Sequence, residues 1–228
     1  MLAKDILKRA SILAQDKGFV RWTPPELLLY LNDGAREIAN YKPNAVTKTV
    51  EIALAAGTLQ ALPPEYISLI RVERNLGAAE GRPSGTAITV VSRSSLDLVI
   101  PGWADAGVLP AQSSVQHVIQ DMQDPRSFHV VPGNDGTGII QAVVSVLPVD
   151  IAEPANLLDV EAYGDQVAIP DIFQNSLVDY VLYRAYSKDS TDGNSLARAS
   201  AHYNQFANAI GMKIQADQTA NVNTTGQT

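Results

Sequence analysis

Residues 169–211 read IPDIFQNSLVDYVLYRAYSKDSTDGNSLARASAHYNQFANAIG, and spacing this regular commits the segment to two helices joined by a polar turn. Phe173, Leu177, Val181 and Ala185 recur every four residues, which stacks them on one helical face. Pro170 suits a first helical turn, where its missing N–H costs nothing, and Asp171 beside it favours the positive end of the helix dipole. Residues 187–194 are drawn from side chains that compete with helical hydrogen bonding. Beyond them Leu196, Ala199, Tyr203, Phe206 and Ile210 follow a 3-4-3-4 spacing, a seam for a partner helix, and Gly211 supplies a left-handed C-terminal cap. Tyr180, Leu182, Tyr183 and Tyr186 fall outside these seams. Aromatics at helical spacing usually complete a core stripe. The alternative places some tyrosines at a subunit or partner interface, with Tyr183 and Tyr186 as the candidates, because an apolar ring with a polar tip suits such surfaces.

The start of the chain carries a second helical pair. Residues 3–17 form one helix, with Ile6, Leu7, Ala10, Leu13 and Ala14 inward and Gly18 as its stop. The next begins on Thr23, with Pro24 at the first helical position and Glu26 closing a Thr-x-x-Glu capping box. Trp22 and Leu27 stand where a hydrophobic staple would clamp the entry. This helix runs to about Tyr41, with Leu27, Leu31, Ala35 and Ile38 inward, and Pro43 ends it. Each pair leaves apolar surface that its own partner cannot cover. The simplest burial packs one pair on the other as a four-helix bundle.

Between the pairs the period changes from helical to two. Val46, Lys48, Val50, Ile52 and Leu54 alternate with Thr47, Thr49, Glu51 and Ala53, a strand. Residues 67–73 read as a second strand and 75–87 as a long exposed loop. A short helix is expected at 94–99, capped by Ser94 or Ser95. Further strands are expected at 115–120, 127–131 and 138–147, the last two joined by a hairpin loop at 132–137, and an edge strand at 158–163. The expected class is therefore α+β: a four-helix bundle made from N- and C-terminal helical hairpins, an inserted small antiparallel β domain and a flexible C-terminal tail. The boundaries are 1–42 for the first half of the bundle, 43–168 for the β-rich insertion, 169–214 for the second half and 215–228 for the tail. The tail QADQTANVNTTGQT has no periodicity and one large aliphatic residue, Val222, and is expected to be disordered in the free monomer.

Composition narrows the chemistry. The absence of cysteine removes disulfides, thiolate metal sites and cysteine nucleophiles, and a net charge of −7 argues against a sequence-independent DNA-binding surface. An acidic wall could still line a DNA passage, since repulsion keeps the polymer from sticking. No apolar run approaches bilayer length, and the charges at Lys4, Asp5, Lys8 and Arg9 interrupt any signal-peptide core, so use without secretion by the general export route is expected. His117, His129 and His202 are scattered, without metal-ligand spacing. No nucleophile elbow, Walker loop or dinucleotide fingerprint occurs. Residues 133–138 resemble a phosphate or calcium loop only superficially, and a hairpin turn is the expected reading. Asp121 and Asp124, beside Pro125, suit a turn better than a pair of acid catalysts. No enzyme and no cofactor is expected.

Four features together resemble a known family. They are WTPPELLLYLNDGAREIA (Trp22–Ala39), GTLQALPPEYISLIRV (Gly57–Val72), a variable β region, and PDIFQNSLVDYVLYRAYSKD (Pro170–Asp189) followed by a last helix with Phe206. In this order they resemble the head-to-tail adaptor, or connector, proteins of tailed bacteriophages, among them tail tubular protein A of short-tailed phages. The resemblance covers about two-thirds of the chain and excludes roughly 75–165.

It implies a structural virion protein at the head–tail junction, assembled in the host cytoplasm. The chain would form a homo-oligomeric ring, a dodecamer, between the portal protein and a tail or nozzle protein. Packaged DNA would pass through its channel without sequence-specific binding, and no membrane is involved. Family members tend to send a C-terminal tail onto the portal, which makes Gln215, Asp217, Asn221, Val222 and Asn223 the expected portal contacts. Folding on binding would let such a tail wrap its partner, whereas composition alone is equally consistent with a tail that stays disordered. The alternatives are a receptor-binding or fibre-attachment module that uses the β region and, further off, a cell-wall hydrolase with Asp121 or Asp124 as general acid.

Overall fold

The computed structural model describes residues 1–77, 84–120, 124–188 and 193–211. These form a mixed α+β chain of five α-helices and two four-stranded sheets. Two compact units are present. One joins Met1–Ala45 to the described part of Pro148–Thr228, and the other is Val46–Leu147. Both ends of the chain thus build the first unit.

In that unit α1 (Ala3–Leu13), α2 (Pro24–Tyr41) and α5 (Gly193–Ala209) all pack on α4 (Gln174–Lys188). The choice of α4 follows from its sequence. Its buried residues include Leu177, Val178, Tyr180, Val181, Leu182, Ala185 and Tyr186, which go round most of the helix rather than along one stripe, and such a helix has to be interior. The inward positions expected in α2 hold: Leu27, Leu31, Ala35 and Ile38 are all buried.

Close approach between α2 and α4 depends on Gly34. A Cβ there would lie 2.8 Å from Tyr180 Cδ1 and 3.3 Å from Leu177 Cδ2. The Tyr180 ring has little room to yield, since it packs edge-on against Phe206 at 4.9 Å and Tyr183 at 5.7 Å. Gly34→Val is therefore expected to destabilise the helical unit by about 1–3 kcal/mol through overpacking, read as a lower thermal midpoint. An unchanged midpoint would show that the ring moves aside.

Several details depart from the sequence pattern. The first helix stops at Leu13 rather than near residue 17, because Gln15 adopts a left-handed φ of 60° and turns the chain ahead of Gly18. Leu13 and Leu196, both expected inward, are 59% and 47% exposed. The capping box does not form: Thr23 occupies the N-cap position without a side-chain bond, and Glu26 instead accepts from Tyr30 and Lys188. Entry to α2 is held by Asp16, whose carboxylate accepts the N–H groups of Val20, Arg21 and Trp22 at 2.9–3.0 Å. Trp22 is buried as expected, and its indole N–H donates to the Ala185 carbonyl of α4. Phe173 falls in a 3-10 turn (Asp171–Phe173) that precedes α4. Gly211, at φ 70°, supplies the expected left-handed end.

Residues 148–170 run along this unit as an irregular strap. Asp150 pairs with Arg36, the Ile151 backbone exchanges two hydrogen bonds with Asn32, and Glu161 pairs with Lys4 and Lys8. The edge strand expected at 158–163 is absent. Asp159 accepts from the Glu161 N–H and winds Val160–Ala162 into a 3-10 turn, which buries Tyr163 with its hydroxyl on the Leu157 carbonyl.

The second unit holds two sheets where one was expected. The first runs β1 (Thr47–Ala53), β8 (Ile139–Val146), β3 (Tyr66–Leu76), β4 (Ser84–Ala87), all antiparallel. The second runs β2 (Gly57–Ala61), β7 (Ser127–Asn134), β6 (His117–Gln120), β5 (Thr89–Val90), and its β5–β6 pair is parallel. Val50, Ile52, Val72, Ile140 and Val144 of the first sheet share a core with Val118, Phe128 and Val130 of the second. Alternate residues Ile119 and Val131 point the other way, into a smaller cluster with Leu96 and Trp103. The β6–β7 centre of the second sheet is thus buried on both faces, the outer one under α3 (Arg93–Val99). Ser92, not Ser94 or Ser95, caps α3.

The hairpin expected at 132–137 is also absent, because β7 extends through Asn134 and β8 belongs to the other sheet. Asn134 makes the crossover possible. Its buried side chain accepts from the N–H groups of Gly136 and Gly138 and donates to the carbonyls of Gln112 and Ser113. The loop expected at 75–87 is shorter, since β4 pairs back on β3. The expected flexible tail, 215–228, lies outside the described residues.

Candidate functional site

Among the described residues, those that suggested chemistry do not converge. Asp124 takes up a turn before β7, where its carboxylate accepts from the Ser127 hydroxyl and, at 3.2 Å, the Arg126 N–H. These bonds, the Ser127 hydroxyl foremost, hold its pKa below the ordinary aspartate value. A general acid needs the opposite shift. In a carboxyl NMR titration Asp124 should stay ionised to lower pH than a free aspartate, and the turn should loosen only as pH falls through that depressed midpoint. A midpoint above the ordinary range would revive the hydrolase reading. Asp135 is shifted the same way by the Thr137 hydroxyl and N–H, and Glu161 by Lys8 and then Lys4. Asp121 lies outside the described residues.

The histidines are taken up separately. His117 Nδ1 meets the Thr89 hydroxyl at 2.6 Å, His129 Nε2 meets Arg93, and His202 Nδ1 meets Asp179 at 2.9 Å. Among the described residues no three His, Cys, Asp or Glu side chains group as metal ligands, and no helix is long and apolar enough to cross a membrane.

The structure offers surfaces instead. A groove of about 470 Å³ lies between α1 and α4, with Ile12, Leu13 and Val178 as apolar walls and Arg9, Asn175 and Asp179 as polar ones. In the second unit a cleft of about 290 Å³ runs under α3, lined by Leu96, Val99, Leu109, Val131 and Pro132, with His117 at its polar side. Val99 and the adjacent Leu98 are largely exposed beside it. Apolar walls with a few polar groups are what a docking segment meets. Neither surface was expected from the sequence. The one available signal was the Ile12-Leu13 pair, which is more apolar than a single helical stripe needs.

The two tyrosines singled out earlier flank the α4–α5 seam. Tyr186 is 4% exposed, edge-on to Trp22 at 5.5 Å and stacked with His202 at 5.9 Å. Tyr183 is half-buried and packs against Tyr203 at 4.9 Å. Burial raises the pKa of Tyr180 and Tyr203 along the same seam. Gln215, Asp217, Asn221, Val222 and Asn223 lie outside the described residues.

The described residues thus offer two surface clefts on an α+β chain, with Asp124 taken up in a turn. The family model for the SU10 adaptor protein matches residues 1–227, and the chain belongs to that family, the structural adaptors of bacteriophages. Membership implies a virion component that interacts with portal and tail components, and it points to a non-enzymatic role. No curated protein matches the chain.

Proposed function

We propose that this protein is a head-to-tail adaptor that assembles as a ring, a dodecamer, between portal and tail, with a central channel for DNA ejection. The observation that carries this reading is the family match over residues 1–227. Three features support it. The helical unit is made from both chain ends, as a scaffold must be if an inserted β unit is to reach a different partner. The packing of α1, α2 and α5 on α4 suits the four-helix bundle expected of residues 1–42 and 169–214. A net charge of −7 suits a channel wall that DNA slides past without adhering.

In this reading residues 215–228 reach the portal through Gln215, Asp217, Asn221, Val222 and Asn223. Tyr183 and Tyr186 belong to the subunit contact, Tyr183 with its half-buried ring and Tyr186 as the brace behind it. The insertion, residues 43–168, faces the tail or nozzle protein, and the kinship is with tail tubular protein A of short-tailed phages. Sedimentation of the full chain alone and with purified portal tests this. The expected result is a monomer or weak oligomer alone and a ring on the portal, with binding lost when 215–228 are removed. Glycan binding without portal binding would replace it with the fibre-attachment reading.

A further inference from the structure

We propose that in the free protein the start of the chain's own C-terminal segment, residues 212–222, docks in the α1–α4 groove. Among the described residues nothing covers the groove, although its walls are apolar: Ile12 and Leu13 are both more than half exposed, opposite Val178. The α4 side of the groove adjoins α5, because Asp179, which lines it, is bonded to His202 at 2.9 Å. From His202 to Gly211 is nine residues, about 13 Å along a helix. Gly211 then ends α5 with a left-handed φ of 70°, the conformation that redirects a chain leaving a helix.

Beyond it the 17 residues 212–228 span up to about 56 Å when extended, so reach does not limit docking. The segment has the matching chemistry. Met212, Ile214 and Val222 are its large apolar side chains, and Lys213 and Asp217 bring one charge of each sign to a groove that carries Asp179 and Arg9. Ile214 against Val178 and Leu13 is the central contact.

Portal binding would then have to release this segment. That consequence rests on the function proposed above, whereas the docking itself does not, and the test uses no portal.

The chain has no cysteine, so introduced pairs report cleanly. In the dilute full-length protein, Leu13→Cys with Ala216→Cys should cross-link within one chain about tenfold faster than Leu29→Cys with Ala216→Cys, through a raised effective concentration. Leu29 is equally exposed but does not line the groove. Ile214→Asp added to the first pair should remove the advantage. Equal rates for the two pairs would overturn the proposal, as would cross-links formed mainly between chains. Hydrogen exchange on the unmodified chain is the second reading: amides of residues 212–222 should be slowed, and exchange at the unprotected rate overturns the docking whatever the variants do.

Discussion

Phe206→Ala should destabilise the helical unit by about 3–5 kcal/mol, the largest loss expected of any single truncation in α5. Phe206 has no exposed surface and packs against Tyr180 at 4.9 Å, with Tyr203 at 6.4 Å. The other buried residues of α5, Ser195, Ala199 and Ala207, are small, so none of them can fill the space. The lost transfer free energy and the cavity add, and the edge-on ring contact contributes about 0.5–1.5 kcal/mol more. Denaturant unfolding followed by tyrosine fluorescence should show the midpoint fall, and hydrogen exchange should show α5 loosening before α1. Phe206→Leu should recover more than half of the loss. A loss below about 1 kcal/mol for the alanine variant would mean that α5 is held from elsewhere.

Asn75→Leu should be comparably damaging in the β unit, by about 3–5 kcal/mol, because it strands the buried N–H and C=O of Val115 at about 1–3 kcal/mol each and removes the bonds to Thr86. The Asn75 amide nitrogen donates to the carbonyls of Val115 and Thr86 and to the Thr86 hydroxyl, while its oxygen accepts the Val115 N–H at 2.9 Å. Asn75 is itself buried, 40 residues from Val115 in sequence, so it stands in for a ladder that β3 cannot extend. Leucine has the same branched outline and is bulkier, so it keeps water out without offering a hydrogen bond, which leaves those groups unpaired. Asn75→Ala should cost less, since water can enter the smaller site. If the two substitutions proved equal, loss of packing rather than of hydrogen bonds would be the cause.

A docking role places different demands on the surface than on the core. Among the described residues the groove walls Ile12 and Leu13 keep apolar area exposed, at a cost in free energy that the C-terminal segment proposed to cover them in the free protein would recover. Leu98 and Val99 keep apolar area exposed beside the cleft under α3. Such patches are tolerated when each is small and rimmed by polar groups, as Arg9, Asn175 and Asp179 rim the groove.

Local periodicity by itself determined the helices, the alternating strand β1, the left-handed end at Gly211 and the inward face of α2, since these depend on residues three, four or two apart. It also showed that no catalytic set was spelled out. What required tertiary structure were choices between partners distant in the chain. β7 and β8 look like a hairpin from their turn residues, yet the buried Asn134 side chain finds four backbone partners and sends β8 to the other sheet. Residues 158–163 alternate like a strand, yet Asp159 and the lysines of α1 fold them into a turn. Leu13 and Leu196 fit apolar stripes, yet face solvent because α1 ends early and α5 leans on α4 through Phe206. Periodicity records which residues share a face; only the packed neighbours decide whether that face is covered, and so where a groove remains.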